Sequence, residues 1–409
     1  MSAAARDLGG SPESRARRRT RVCAVSFKEC WQDADGRWYS NGGFPLQMAA
    51  VASLFDRMTL LITRRDSPGP GALPLPDNAD VVVMRRPAGQ DFPRKMFVAA
   101  HLFGYIRIIA RHARAADAVH VPPPGDLPLL GMLVALAMRK RLIVRYCGSW
   151  YPTSRTTATN RVTRGLMRVF AGGRNVMLAT GEAGVAPARG VHWIFATGLS
   201  REELRRRRPD LGRGVRRPAR LAYIGRLSPE KGLDLLIEAV AALEREGFSP
   251  LPRITLIGEG PERERLAALV RERGYEETIR FAGQLDREAL ALALADVDFC
   301  VHPSLTEGYS KAWLDAFSQG LPVLATVAGA AKAVIGEGEE RGWLVPPGDV
   351  RALADALRRV LTAERDWPAL RRRCRDFAEA RSLEAWSSEI GRRCAEQWSV
   401  PLAGGRLVL

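Results

Sequence analysis

The stretch Arg220-Leu221-Ala222-Tyr223-Ile224-Gly225-Arg226-Leu227-Ser228-Pro229-Glu230-Lys231-Gly232 runs from an apolar segment through a glycine into residues that open helices. Residues 220–224 are short and apolar after the first position, as a buried strand requires. Gly225 permits a sharp turn directly behind it. Ser228 and Pro229 suit a turn or a helix start, and 232–243 reads as the helix. Arg226 and Lys231 then sit five residues apart on one loop at a strand end. Two cations beside helix-end amides suit a diphosphate. A surface loop with two solvated charges is the plain alternative.

The same rhythm extends in both directions. After it come apolar runs at 254–257, 279–281, 298–301, 322–325 and 343–345, with helical stretches at 262–273 and 287–294. Before it lie runs at 22–27, 58–62, 80–84, 118–121, 142–146, 176–179 and 191–195, with a helical stretch at 97–112. Strands apolar throughout and joined by helices imply parallel sheets covered on both faces. Two series imply an α/β chain of two doubly wound lobes. The expected organisation is a disordered basic tail over 1–20, a first lobe over 21–198, a basic linker over 199–219, a second lobe over 220–380, and a C-terminal helix and tail over 381–409 that pack back on the first lobe. The linker carries Arg205-Arg206-Arg207-Arg208 and reads as a solvated hinge. Ligands of such sheets bind outside the carboxyl ends of the strands, so the cleft between the lobes is the expected site.

Charge bears on what meets that cleft. The 409 residues carry a net charge of +17, distributed unevenly. Residues 1–198 hold 28 basic and 13 acidic residues, 199–219 hold 8 and 3, and 220–409 hold 26 and 29. An anionic partner for the first lobe is implied, and a membrane surface is one candidate. The six cysteines, Cys23, Cys30, Cys147, Cys300, Cys374 and Cys394, form no C-x-x-C pair, which argues against zinc and disulfides and fits a reducing cytosol. Cys23, Cys147 and Cys300 read as small core residues. No apolar run reaches membrane-spanning length, the tail lacks the apolar core of a secretory signal, and 127–138 reads as a buried core helix.

Three further motifs fall at strand ends. His302-Pro303-Ser304-Leu305-Thr306-Glu307-Gly308-Tyr309-Ser310-Lys311 opens a helix that carries Asp315. Free amides over 308–310 suit an anion, and a carboxylate such as Asp315 suits a diol. For Glu307 the structural alternative is a capping box with Ser304. Asn41-Gly42-Gly43-Phe44-Pro45 permits close backbone approach to a ligand, or is a plain loop. Gly258-Glu259-Gly260-Pro261-Glu262-Arg263 has arginine where a dinucleotide fingerprint needs its third glycine, which argues against nicotinamide and flavin.

Taken together, the second half resembles the retaining glycosyltransferases of family 4, which have the GT-B fold. Besides the motifs above, the resemblance rests on Phe281-Ala282-Gly283, Ala295-Asp296-Val297, Gly320-Leu321-Pro322-Val323 and Gly342-Trp343-Leu344-Val345. It implies a nucleotide-diphosphate sugar as donor substrate, held by the second lobe, and a glycan or lipid-linked acceptor held by the first. Arg226 and Lys231 match the pair that contacts the donor diphosphate, and Glu307 matches the first acid of the E-x7-E motif, at the transferred sugar. The amides at Tyr309 and Ser310 match the phosphate and sugar cradle, Gln284 and Leu285 the base pocket, and Gly43 the first-lobe loop near the diphosphate; Gly225 and Gly308 are expected among the donor-binding residues. Asp315 stands where the family has the glutamate that contacts ribose. Where many members have a histidine behind a first-lobe strand, this chain reads Arg145-Tyr146-Cys147-Gly148-Ser149-Trp150. His120, at another strand end, is the candidate substitute. No metal and no cofactor are expected, because cations replace the metal and no Asp-x-Asp motif lies near these strands. Retention without a protein nucleophile implies same-face attack, with the leaving phosphate accepting the acceptor's proton. The competing readings are a GT-B nucleotide-sugar epimerase and a basic nucleic-acid-binding protein. The latter is disfavoured because no nucleic-acid motif occurs and the excess charge avoids the motif-bearing lobe.

Overall fold

The computed structural model describes residues 19–69, 71–89, 91–152 and 156–409. The first lobe contains β1 (Arg21–Gln32), β2 (Trp38–Asn41), β3 (Arg57–Arg64), β4 (Ala72–Pro74), β5 (Ala79–Met84), β6 (Ala118–Val121), β7 (Arg141–Tyr146), β8 (Asn175–Thr180) and β9 (Val191–Ile194). Seven of them form a parallel sheet in the order β5-β3-β1-β6-β7-β8-β9. β2 and β4 extend the far end of β1 as an antiparallel flap. The second lobe contains β10 (Arg220–Ile224), β11 (Arg253–Ile257), β12 (Ile279–Gly283), β13 (Phe299–His302), β14 (Val323–Thr326) and β15 (Gly342–Val345). These are all parallel, in the order β12-β11-β10-β13-β14-β15.

Alternation along single strands shows why their runs are apolar throughout. Val22 and Ala24 of β1 face one core, with Met48 and Trp386. Cys23 and Val25 face another, with Tyr105 and Ile109. In β10, Leu221 and Tyr223 face the core that holds Leu236 and Trp343, while Ala222 faces the one that holds Trp313 and Phe317. A strand with a core on each side has no polar face to display.

The chain crosses between lobes twice. After helix Trp367–Glu379 packs on the second lobe, helix Leu383–Trp398 returns to the first, burying Trp386, Ile390 and Cys394 against Val22 and Met48. The crossings touch each other, because the Leu383 amide donates to the Leu199 carbonyl at 2.8 Å.

Three expectations need correction. Thr20 falls within the expected disordered tail, but its amide donates to Asp56 at 2.7 Å and its side chain is buried; residues 1–18 lie outside the described ones. Cys147 is exposed just beyond β7, unlike the buried Cys23 and Cys300. The linker is not a solvated hinge. Arg201–Arg206 is helical, Arg207 is buried between Glu203 and Ser318, and Arg216 pairs with Asp296 and Asp298. Arg371, fully buried, donates to the carbonyls of Arg213 and Asp298 at 3.1 Å, tying the linker to the second lobe.

Candidate active site

The strand order of the second lobe reverses direction between β10 and β13, the switch point where a doubly wound sheet opens a crevice. The loops behind those two strands carry Arg226 with Lys231, and Glu307. Their shape comes from glycines packed backbone to backbone. Gly258 has φ +139°, and a Cβ there would lie 1.9 Å from the Gly225 carbonyl oxygen. A Cβ on Gly260 would lie 2.1 Å from that of Leu227. The amides of Gly225 and Leu227 donate to Ile257 and Glu259, each at 3.0 Å, so the loops behind β10 and β11 close on each other. Gly258-x-Gly260 thus serves as a scaffold for the Arg226 loop. The Tyr223 hydroxyl donates to the Arg226 carbonyl at 2.9 Å, and burial beside Glu307 and Glu230 pushes that phenol well up.

A short 3-10 turn, Pro229–Lys231, then brings Lys231 to the β13 loop, where the Leu305 amide donates to the Glu230 carbonyl at 2.9 Å. Lys231 Nζ lies 2.6 Å from Glu307 Oε2, with the two side chains 18% and 15% exposed. Glu307 Oε1 accepts from the Gly308 amide at 3.1 Å. The capping-box alternative is therefore not realised. The helix starts later, at Lys311, and its N-cap Ser310 makes no side-chain cap bond. Gly308 also lies against the first lobe: a Cβ on it would stand 3.7 Å from the Ser149 Cα.

Beside this pair a cavity of about 1380 Å³ opens between the lobes. Gly43, Gln284, Leu285 and Asp315 all line it. Lys231, Glu307, Gly308, Tyr309, Ser310 and the exposed Arg226 stand outside its lining, on the adjoining loops. The sequence-derived residues thus split between a cavity and an ion-paired rim. Burial raises the Asp315 carboxyl above its ordinary range, while Arg207 and Arg287 oppose that rise. Tyr309 turns its side chain away; its ring packs on Trp313 at 6.5 Å and its phenol lies near Arg381 and Glu182, so its backbone alone faces the cleft loop.

His120 does not substitute for the histidine missing behind β7. It is fully buried, and burial with the nearby Arg145 pushes its imidazole down to about 3. Sequence reasoning also missed contributors. Arg206, Arg207 and Arg208 line the cavity although their run looked like a hinge. Lys311 lines it too, and its only signal was its place in the Glu307 motif.

Residues 214–381 match the family model for glycosyl transferases group 1. They form a glycosyl transferases group 1 domain. That domain contains both switch-point loops, Gln284, Leu285 and Asp315. The chain is 32% identical over 146 residues to a putative colanic acid biosynthesis glycosyltransferase, WcaL, of Escherichia coli, covering 34% of this chain and 35% of that protein. It is 34% identical over 159 residues to an MMP alpha-(1->4)-mannosyltransferase of Mycolicibacterium hassiacum, covering 39% of this chain and 37% of the relative. The matches thus span about a third of the length of these curated relatives. In three dimensions both lobes match. Sucrose-phosphate synthase from Thermosynechococcus elongatus superposes with TM-score 0.67 at 20% identity, covering 93% of this chain and all of that one. HepE from Anabaena, solved with UDP, superposes with TM-score 0.63 at 18% identity, covering 93% and 99%. The fold is GT-B, and the group 1 domain is its second lobe.

Proposed function

We propose that the protein is a retaining glycosyltransferase that moves a hexose from a nucleotide-diphosphate sugar to a saccharide or lipid-linked acceptor in cell-surface glycan or glycolipid synthesis. The observation that carries this is the placement of Arg226 and the Lys231–Glu307 pair at the β10/β13 switch point of a group 1 domain, beside the Gln284–Leu285–Asp315 cavity. The HepE neighbour, solved with UDP, supports a nucleotide donor. In this reading the base stacks by Gln284 and Leu285, and Asp315 accepts from the ribose hydroxyls. Arg226, Lys231 and the amides before helix Lys311–Ser318 stabilise charge on the departing diphosphate, in place of a metal. Glu307 faces the transferred sugar. The acceptor hydroxyl attacks from the face the nucleotide leaves, and its proton passes to a phosphate oxygen.

A peripheral position on the inner face of an anionic membrane completes the proposal. Phe92, Met96 and Phe103 are exposed on two neighbouring first-lobe helices, Asp91–Ala100 and Leu102–Ala115, near the exposed Lys95 and Arg107. Apolar side chains among basic ones suit a lipid interface. No helix among the described residues is long and apolar enough to cross a membrane.

The test is a screen of nucleotide sugars with product analysis, with and without saccharide or lipid acceptors and with EDTA. Acceptor-dependent transfer with retained anomeric configuration, abolished in Arg226→Ala, is expected. Sugar conversion with the donor alone would instead mark an epimerase. Flotation with liposomes that shows no dependence on anionic lipid removes the membrane part.

A further inference from the structure

The outer edges of the two parallel sheets are not alike. β12 carries the exposed Arg280 and breaks register before Gly283. β15 and β9 are four residues long, and helix Leu383–Trp398 lies against β9, where Arg393 meets His192 at 3.0 Å. Charge, irregularity, short length and a covering helix all blunt an edge against further strands. β5 is different. Its six residues, Ala79-Asp80-Val81-Val82-Val83-Met84, keep an unbroken register with β3, from Met58 beside Ala79 to Thr63 beside Met84. Among the described residues β3 is its sole strand partner, and Val83 is 43% exposed. The direction of its free groups follows from the ladder. The Arg57 amide donates to Thr20 on the β1 side, and the Met58 amide donates to the Asn78 carbonyl at 3.0 Å. In a parallel ladder alternate residues turn both backbone groups to the same side. Asp80, Val82 and Met84 therefore bond β3, while Ala79, Val81 and Val83 turn outward. The Ala79 amide closes a turn on Pro76, but the amides and carbonyls of Val81 and Val83 meet no partner among the described residues.

Charge selects what can pair there. The strand is entered through Asp77 and Asp80 and left through Arg85 and Arg86. Asp80 has a long 3.7 Å contact with Arg57, and Arg85 lies over the Phe97 ring rather than on a carboxylate. A copy of the strand laid antiparallel sets the acidic end against the basic end, whereas a parallel copy sets like against like. We propose that β5 pairs antiparallel with β5 of a second copy of this chain, across a two-fold axis at Val82, so that Val81 stands opposite the partner's Val83. This register returns every free amide and carbonyl of Val81 and Val83 to a hydrogen bond and joins the two seven-stranded sheets into one. The contact uses up the edge it depends on, so assembly stops at a dimer. Opposed residues share a face of the sheet, so the helices Asp91–Ala100 and Leu102–Ala115 of both copies, which cover the Val82 and Met84 face, lie on one side of the joined sheet. The exposed Phe92, Met96 and Phe103 are thereby doubled on that side. The pairing itself rests neither on the donor reading nor on the membrane reading above.

The experiment is sedimentation velocity with light scattering on the full chain from about 1 to 100 µM, a span that brackets micromolar dissociation constants. The parent should reach twice the chain mass and form nothing larger. Val83→Pro deletes an amide that points away from β3, so the ladder within the protein survives while the contact between copies loses a donor on each side. Its dissociation constant should rise about tenfold or more, whereas Val83→Ala, which keeps the amide, should stay within about threefold of the parent. Circular dichroism checks that each variant is folded. A second measurement reads the register directly. Val82→Cys, in a Cys147→Ser background that removes the exposed native thiol, should form a covalent dimer on mild oxidation, because residue 82 faces its own copy across the axis. Asp80→Cys in the same background should not, because its counterpart lies several residues away along the partner strand. A single-chain mass at about 100 µM overturns the proposal. So does a dimer whose dissociation constant is unchanged within about twofold in a folded Val83→Pro, or a species that keeps growing with concentration. Where Val83→Pro fails to fold, the cross-link decides, and its absence in Val82→Cys overturns the pairing.

Discussion

Replacing Glu307 by glutamine should move ligand binding and turnover in opposite directions. Glu307 holds Lys231 at 2.6 Å. At an effective dielectric near 20 the gross attraction at that separation is roughly 6 kcal/mol. Both side chains still reach cleft water, and the net worth of a charge-assisted contact is smaller, about 1.5–3 kcal/mol. A diphosphate arriving at Lys231 has to compete with this carboxylate and lie near its charge. Glutamine removes the charge, yet its oxygen can still accept from the Gly308 amide, so the loop keeps its shape. If about 1–2 kcal/mol of the competition is relieved, the nucleoside diphosphate should bind about 5- to 30-fold more tightly. Turnover should fall roughly 100-fold or more if Glu307 acts at the transferred sugar as proposed, because its charge is gone. Calorimetry with nucleoside diphosphates reads the first effect and initial-rate assays with the preferred nucleotide sugar read the second. Unchanged or weaker diphosphate binding in a variant with the parent's thermal midpoint would refute the idea that Lys231 is shared between Glu307 and the ligand.

Gly258→Ala should destabilise the protein by about 2–4 kcal/mol in denaturant unfolding, since its Cβ would strike the Gly225 carbonyl from a strained φ; a midpoint equal to the parent's would show that the two loops do not interlock. Arg371→Met should cost about 2–4 kcal/mol, because buried carbonyls at Arg213 and Asp298 lose their donor, and retained stability would mean that the linker is not anchored there. Asp315→Asn tests a pH dependence. Burial raises the folded carboxyl, so the folded state holds its proton more strongly than the unfolded chain does. The aspartate's contribution is therefore most favourable below the ordinary aspartate range and is lost as pH rises through the raised value. The asparagine variant should gain thermal midpoint over the parent as pH climbs from 4 to 7, and a constant difference across that span would contradict the desolvation.

The second lobe was legible because its constraints are local. A strand covered on both faces must be apolar at every position, so β10, β11 and β13 stand out in the sequence. The turns behind them need glycine where another residue would strike backbone, as at Gly258 and Gly260. Such requirements act over a few residues and leave a spaced pattern. The short β2 and β4 were not visible, because β2 pairs only with the end of β1, β4 pairs only with β2, and both bury little. Composition also located the excess positive charge in the first half, but it could not say which cations are spent on carboxylates. Arg207 and Arg216, which looked solvated, are paired. Lys231, which looked free, is held by Glu307, 76 residues further along the chain. Lys311, which looked incidental, lines the cavity and reaches Gly43 of the other lobe. Charges act through space over distances that bear no relation to separation along the chain. The sequence by itself determined two parallel sheets and the loops that end them, and only the tertiary structure decided which of the charges on those loops are already satisfied and which are left for a ligand.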